Sequence, residues 1–302
     1  MTTERRKVAI QGGYGANHEI AAKKFFEGEE LEIIPCVTFE DLFLTIEKDP
    51  SVYGIVAIEN TLVGSLLPNY TMLKDSGLVI IGEYKLRIKH HLMTLQGQTL
   101  NDIHEVRSHP MALAQCEQFF KDYPKIKLIE TIDTALSAEE ISKTKEKNIA
   151  AIASDLAAEL YGLEIIASGI ETNKRNFTRF LIISNKERIE VDELLKSEKI
   201  SKASLVFSVP HVEGSLSKVL TILAFYGINL SKIQSLPIVG QEWEYLFYVD
   251  VIFKNYERYI QSLDAIRPLT HNLKILGEYE AGKQSFLPNG NGEPAENKII
   301  AK

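Results

Sequence analysis

The sequence predicts an α/β protein in two parts, a two-lobed region to about residue 185 with a cleft between its lobes, then a small β-α-β-β-α-β domain. Three observations predict it. Short apolar runs alternate with helical patterns along residues 8–184, a rhythm that implies helices covering mostly parallel sheets, with ligands at the carboxyl ends of strands. The stretch 78–95 is too long and too β-branched for one strand, and reads as extended chain crossing between lobes. Beyond the charged, weakly patterned segment 185–200 (NKERIEVDELLKSEKI) the order of elements changes.

A first strand at 8–11 leads into Gly12, Gly13 and Gly15, and a helix at 18–27 stops at Gly28. After a second strand at 31–36, Thr38 with Asp41 supplies an N-cap and an acidic first turn. A buried-type strand at 53–58 and a helix at 66–74 complete the first lobe. Past the crossing, strands at 105–107, 127–130, 149–153 and 164–167 alternate with helices at 110–120, 134–145 and 156–161, before a last strand at 178–184. The small domain reads strand 203–209, helix 216–226, strands 229–234 and 244–253, helix 256–267 and strand 273–278. The bounds are therefore 1–185, with the second lobe at about 88–165, a linker at 186–200, the small domain at 201–280 and a tail at 281–302. That tail is rich in Gly, Asn, Pro and Lys and is expected to be disordered.

Composition excludes several classes of function. The 302 residues are 45% apolar, enough to fill real cores, yet no run approaches the ~18 consecutive apolar residues of a membrane helix. The first residues are polar and charged, without the shape of a signal peptide. Two cysteines, Cys36 and Cys116, make no disulfide framework, and a reducing cytoplasm is the expected location. A formal charge of −7 argues against nucleic-acid binding, and an anionic ligand would need a local arrangement to attract it. The seven histidines are scattered, and His90 and His91 point to opposite faces of an extended chain, so no metal site is expected.

Candidate chemistry lies at successive strand ends. Gly12, Gly13 and Gly15 stand between a strand and a helix, where backbone N–H groups hold an anion or simply form a tight turn. Their spacing is not that of a dinucleotide site. His18 caps that helix or faces the cleft. Glu59, Asn60 and Thr61, beside Gly64 and Ser65, form either a ligand-binding strand end or an ordinary turn. Ser108, His109 and Pro110 open a helix, which Ser108 simply caps unless it serves a ligand, and Gln115 lies in it among apolar neighbours, needing a partner. Asn176, Phe177, Thr178, Arg179 and Phe180 open the last strand; an arginine beside a hydroxyl suits a carboxylate, or else is a solvated surface residue.

Taken in order, these segments resemble the prephenate dehydratases that carry a C-terminal ACT domain, over about residues 7–280. The family's opening G-P-x-G-T-F-S-E-x-A-A is met by Gly12 to Ala22, and its I-E-N-S with a G-S pair by Ile58 to Thr61 with Gly64 and Ser65. Its S-H-P-x-A-L-A-Q-C is met by Ser108 to Cys116, and its T-R-F by Thr178 to Phe180. G-A-L-x-x-x-L is met by Gly214, Ser215, Leu216 and Leu220. Ala16, Asn17 and His18 replace Thr, Phe and Ser, and Gln234-Ser235-Leu236-Pro237 stands for E-S-R-P with both charges lost.

The resemblance implies a periplasmic-binding-protein-like catalytic region, with its cleft between two lobes, and a ferredoxin-like ACT domain. It implies a cofactor-free reaction in which prephenate loses its ring hydroxyl and ring carboxylate to give phenylpyruvate. Thr178 would donate to the leaving oxygen, and Arg179 would hold a carboxylate. Asn60, Ser108 and Gln115 would position the substrate, while Glu59 would turn outward to orient Asn60. Gly15, His18, Thr61, Gly64, Ser65, Asn176 and Phe180 would make further substrate contacts. Phenylalanine would be an allosteric effector bound by Gly214, Ser215, Leu216, Asn229, Gln234, Ser235 and Leu236 in a homodimer or homotetramer. Arogenate is an alternative substrate, a catalytically inert metabolite sensor an alternative role for the two lobes, and dimerisation alone an alternative role for the small domain.

Overall fold

The structure, a computed structural model, describes residues 5–189 and 200–285. The first lobe is built from β1 (Arg6–Gln11), α1 (Asn17–Phe25), β2 (Leu31–Cys36), α2 (Phe39–Lys48), β3 (Tyr53–Asn60), β4 (Gly64–Ser65), α3 (Leu67–Asp75) and β5 (Val79–Arg87). The second holds β6 (His91–Thr94), β7 (Glu105–Ser108), α4 (Pro110–Gln115), α5 (Glu117–Phe120), β8 (Lys127–Glu130), α6 (Thr134–Thr144), β9 (Ile149–Ala153), α7 (Asp155–Tyr161) and β10 (Glu164–Ala167). The chain then returns to the first lobe as β11 (Phe177–Ser184), followed by α8 (Lys186–Ile189). Last come β12 (Lys202–Ser208), α9 (Ser215–Phe225), β13 (Asn229–Pro237), β14 (Tyr245–Ile252), α10 (Tyr256–Ile266) and β15 (His271–Tyr279).

Local chemistry sets these elements. At α2 the Thr38 hydroxyl accepts from the Asp41 N–H while the Asp41 carboxylate accepts from the Thr38 N–H, a reciprocal capping box. Leu42, Phe43 and Ile46 then fall on one buried face. The helix expected over 110–120 is broken at Cys116, whose φ of −105° and ψ of 4° end α4 before α5 starts. His109, rather than Ser108, caps α4, its Nδ1 accepting from the Met111 N–H.

The sheets are mixed, which corrects the expectation of mostly parallel strands. The first lobe runs β5-β11-β3-β1-β2, the second β10-β6-β9-β7-β8. Strand β1 is parallel to β2 and β3, and β7 to β8 and β9, whereas β11 is antiparallel to β3 and β5, and β6 to β9 and β10. The exceptions sit at the two inter-lobe crossings, where the chain enters or leaves a sheet without a covering helix to reverse it. As a result the carboxyl ends of β1 and β3, the start of β11 and the end of β7 all border one cleft.

The C-terminal unit has strand order β13-β14-β12-β15, and β15 continues into the first lobe's sheet by pairing Gly277 with Ile80 of β5. A Cβ on Gly277 would lie 2.2 Å from the Ile80 carbonyl oxygen, so the contact needs glycine. One buried cluster joins Tyr70, Ile80 and Leu181 of the first lobe to Val206, Tyr248, Leu276 and Tyr279. Each large apolar side chain buried there contributes roughly 1.5–3 kcal/mol.

Residues 281–285, expected to belong to a disordered tail, are ordered against β5. The Gly282 N–H donates to Glu83 Oε1 at 3.0 Å, and Lys85 exchanges backbone bonds with Lys283 and Ser285. The remainder of that tail, the middle of the linker (190–199) and residues 1–4 lie outside the described residues. Among the described residues no helix is long and apolar enough to cross a membrane.

Candidate active site

A cavity of about 270 Å³ opens where the lobes meet. The first lobe lines it with Gln11, Ala16, Asn17, His18, Ala57, Asn60, Val63, Leu66, Thr178 and Phe180. Ile88 and His90 contribute from the crossing, and His109, Met111, Ala112, Gln115, Ile132, Asp133 and Thr134 from the second lobe. This lining contains no lysine or arginine and one carboxylate, Asp133.

A chain of side-chain amides runs under the cavity floor, and backbone geometry fixes its direction. The N–H groups of Leu62 and Val63 donate to Asn60 Oδ1 at 2.9 and 3.2 Å. That leaves Asn60 Nδ2 to donate to Asn176 Oδ1 at 2.8 Å and to Thr178 Oγ1 at 2.9 Å. Asn176 Nδ2 in turn donates to Gln115 Oε1 at 2.7 Å, and His90 Nε2 meets the same oxygen at 2.7 Å. Thr178 therefore receives a hydrogen bond on its oxygen, and its own hydrogen is free to point into the cavity. Burial pushes the His90 pKa down, against the opposing effects of Gln115 and Glu171. His18 sits between Phe39 and Phe180, with ring centroids 5.7 and 4.9 Å away. Its buried Nε2 has no hydrogen-bond partner among the described residues, and burial lowers its pKa to about 3.

Of the residues singled out in the sequence, Asn60, His109, Gln115, Thr178, Phe180 and His18 line this cavity, and Asn176 lies fully buried just beneath it. The rest go elsewhere. Ser108 is fully buried, its hydroxyl donating to the Ile152 carbonyl at 2.7 Å inside the second lobe. Gly15 is pressed onto α7: its carbonyl accepts from Ser154 Oγ at 2.5 Å, and a Cβ would lie 2.7 Å from Ala157 Cα. Its role is close approach of the two lobes, at a φ of +86°, and the cavity is bordered instead by Ala16, Asn17 and His18. Thr61 ties the first lobe to the return crossing, accepting from the Phe177 N–H and donating to the Arg175 carbonyl. Gly64 and Ser65 form β4 against Glu59 and Asn60.

Arg179 and Glu59 point to the opposite face, toward the C-terminal unit, because successive side chains of a strand alternate. Arg179 is buried and donates through Nε to Glu83 at 2.6 Å, through Nη1 to Asp250, and through Nη2 to the Tyr279 hydroxyl at 3.1 Å. Lys202 Nζ reaches both Glu83 oxygens at 2.9 and 2.8 Å. Burial alone would raise the Glu83 pKa, but Arg179 and Lys202 outweigh it and hold the carboxyl at about 2. Burial disfavours the Arg179 charge, yet Asp250, Tyr279 and Glu83 keep its pKa well above the usual arginine value. Glu59 pairs with Lys232 of β13 at 2.9 Å, and the Leu62 and Val63 backbone orients Asn60 in its place. Sequence reading missed this network because Glu83, Lys202, Asp250 and Tyr279 belong to no motif. The alternation of Thr178, Arg179 and Phe180 was the available signal for where Arg179 points.

A second cavity, of about 410 Å³, lies at the uncapped start of α9, lined by Gly214, Ser215, Leu216 and Ser217 with Val209, Pro210, His211, Val212, Trp243, Tyr245 and Phe247. Asn229, Gln234, Ser235 and Leu236 do not line it. They lie along β13, where Leu236 packs on the core shared with the first lobe and Gln234 bonds the Ser235 carbonyl.

A family model described as prephenate dehydratase matches residues 8–188. The bifunctional chorismate mutase/prephenate dehydratase of Aquifex aeolicus is 36% identical over 277 residues, covering 90% of this chain and 73% of that protein. Arogenate dehydratase/prephenate dehydratase 2, chloroplastic, of Arabidopsis thaliana is 35% identical over 287 residues, 91% of this chain and 73% of that one. A solved structure described as a novel type of quorum quenching acylase has a TM-score of 0.79 at 29% identity, covering 91% of this chain and 98% of its own. Prephenate dehydratase from Arthrobacter aurescens in complex with L-Phe has a TM-score of 0.78 at 24% identity, over 96% and 92% of the two chains, a likeness of fold. With the family model spanning more than half the chain and these relatives matching along most of it, the chain belongs to the prephenate dehydratase family.

Proposed function

We propose that the protein is a lyase that dehydrates and decarboxylates prephenate in the inter-lobe cavity. The observation that carries the reading is the hydrogen bond from Asn60 Nδ2 to Thr178 Oγ1, which turns the hydroxyl hydrogen toward the cavity. In the reaction the bond to the ring carboxylate breaks, CO2 leaves, and its electron pair moves through the ring. The ring carbon–oxygen bond breaks at the opposite carbon, and the departing oxygen takes the Thr178 proton to leave as water. Threonine then regains a proton from solvent. Aromatisation drives the sequence, so a weak acid in the right place suffices. Gln115 and Asn17 are neutral donors that add no negative charge, and the first turn of α1 has no side-chain cap, leaving N–H groups for a carboxylate. The acylase likeness finds no matching chemistry at Thr178: its oxygen is held by an amide, with no imidazole or carboxylate bonded to it among the described residues. Incubation of the purified protein with prephenate should yield phenylpyruvate, followed by absorbance, and no turnover would overturn the reading.

A second substrate has a specific observation in its favour. Arogenate carries an ammonium where prephenate carries a ketone, and Asp133 is the carboxylate at the cavity wall. Asp133 also caps α6, accepting from the Leu136 N–H at 2.9 Å. Asp133→Asn keeps that cap and removes the charge, so it should lower the ratio of kcat/KM for arogenate over prephenate; an unchanged ratio removes Asp133 from substrate choice.

We also propose that the C-terminal unit is an ACT domain that binds phenylalanine at the α9 cavity. The uncapped N-terminus of α9 suits the carboxylate, and Trp243, Tyr245 and Phe247 supply an apolar wall for the ring. Calorimetric titration of the full chain with phenylalanine should show binding that Ser217→Pro, which removes an N–H in the first turn of α9, weakens. Equal affinity in both proteins would place the effector elsewhere.

A further inference from the structure

We propose that His90 is a positioning residue for the reaction: its Nε2–H locks the Gln115 carboxamide so that Gln115 presents only N–H groups to the substrate. The inference rests on the dehydratase reading of the cavity. Gln115 Oε1 is a carbonyl oxygen with two lone pairs, and Asn176 Nδ2 occupies one of them at 2.7 Å. The direction of that bond is not adjustable, because it descends through Asn176 and Asn60 from the backbone N–H groups of Leu62 and Val63. At 2.7 Å from the same oxygen, His90 Nε2 must carry the hydrogen. The imidazole is thereby fixed in one tautomer, and both acceptor positions of Gln115 are filled.

The backbone around His90 is held as firmly as the ring. Its N–H donates to Glu171 Oε2 at 3.0 Å, and its carbonyl accepts from the Ile170 N–H at 2.8 Å. Glu171 is itself buried on the return crossing, and the Gln115 backbone carbonyl accepts from the Thr172 N–H at 2.8 Å. His90 and Asn176 therefore stand on the two crossings between lobes, just before β6 and β11, while Gln115 stands on the second lobe and Thr178 on the first. The relay sets the second lobe's donor in register with the first lobe's proton donor. Substrate must meet both at once, which is the demand of a reaction driven by positioning.

A double-mutant cycle on the full chain tests the inference. His90→Leu removes the donor and should lower kcat/KM about 10-fold, the scale of one lost hydrogen bond at an oxygen that keeps Asn176 as its other partner. In a Gln115→Leu background the same change should cost almost nothing, because His90 acts through Gln115. His90→Gln, which can still donate from near the Nε2 position, should recover most of the loss, and it guards against a variant that merely misfolds. Equal losses in both backgrounds, or a His90→Gln variant no better than His90→Leu, overturns the positioning role. Nitrogen-15 spectra of histidine-labelled protein give a readout independent of turnover: the Nε2–H tautomer at His90 in the parent, released in Gln115→Leu. An Nδ1–H tautomer in the parent would refute the lock, whereas an intact lock in a protein that converts neither prephenate nor arogenate would fault the dehydratase reading alone.

Discussion

At Thr178 the direction of one hydrogen bond decides what the side chain can do. Had Asn60 offered its oxygen, the threonine hydrogen would be spent on it; because two backbone amides claim that oxygen, the hydrogen is left for the cavity. The identities of these residues were legible in the sequence, but the direction of the bond was not, since it depends on backbone groups two and three positions further along. His18 offers a separate test. Its folded pKa of about 3 lies below the ordinary ~6.5. Between those values the unfolded chain holds a proton that the folded chain does not, so its stability contribution is intact above pH ~6.5 and is lost as pH falls. Going from pH 7 to pH 4.5 should cost the parent about 2 kcal/mol more than His18→Asn, measured by denaturant midpoints. Parallel losses in the two proteins would show that His18 is not buried neutral.

Strand β11 shows how one element serves two sites. Its period of two sends Thr178 and Phe180 to the cavity and Arg179 to the C-terminal unit. The expectation that Arg179 grips a substrate carboxylate took adjacency in sequence for a shared site, and alternation separates them. Arg179→Leu should therefore cost about 3–5 kcal/mol of stability, because Glu83 and Asp250 lose the cation between them. Its KM for substrate should stay within about threefold of the parent's, as expected when no ground-state contact is lost. A large rise in KM without a fall in thermal midpoint would return the arginine to the substrate. Helix α4 illustrates the opposite case: the pattern over 110–120 reads as one helix, and only the packing of buried Cys116 shows where it breaks.

Across the whole molecule, the order of strands and helices was legible, while the joining of the two sheets was not. The pairing of Gly277 with Ile80 brings together residues far apart in sequence, and a lone glycine in a strand carries no sign of its partner. The consequence is a C-terminal unit built into the catalytic region. Lys232 holds Glu59 and Asp250 holds Arg179, each one residue from Asn60 or Thr178. A chain ending after Asn185 would strip Tyr70, Ile80 and Leu181 of their buried neighbours and leave Arg179 and Glu83 without Asp250 and Lys202. Scanning calorimetry should find its unfolding midpoint well below that of the full chain; an equal midpoint would mean that the C-terminal unit only rests on the surface. If phenylalanine acts through these links, it should weaken a non-reactive substrate analogue by the same factor as the analogue weakens phenylalanine.

The role of Thr178 as proton donor is tested most directly by kcat with prephenate for the full chain carrying Thr178→Val or Thr178→Ser. Valine keeps the shape and removes the hydrogen; serine keeps the hydroxyl under the Asn60 amide. With valine kcat should fall about 10²–10⁴-fold, the range for losing a positioned proton donor, with serine much closer to the parent. A valine variant that turns over at the parent's rate would contradict that role.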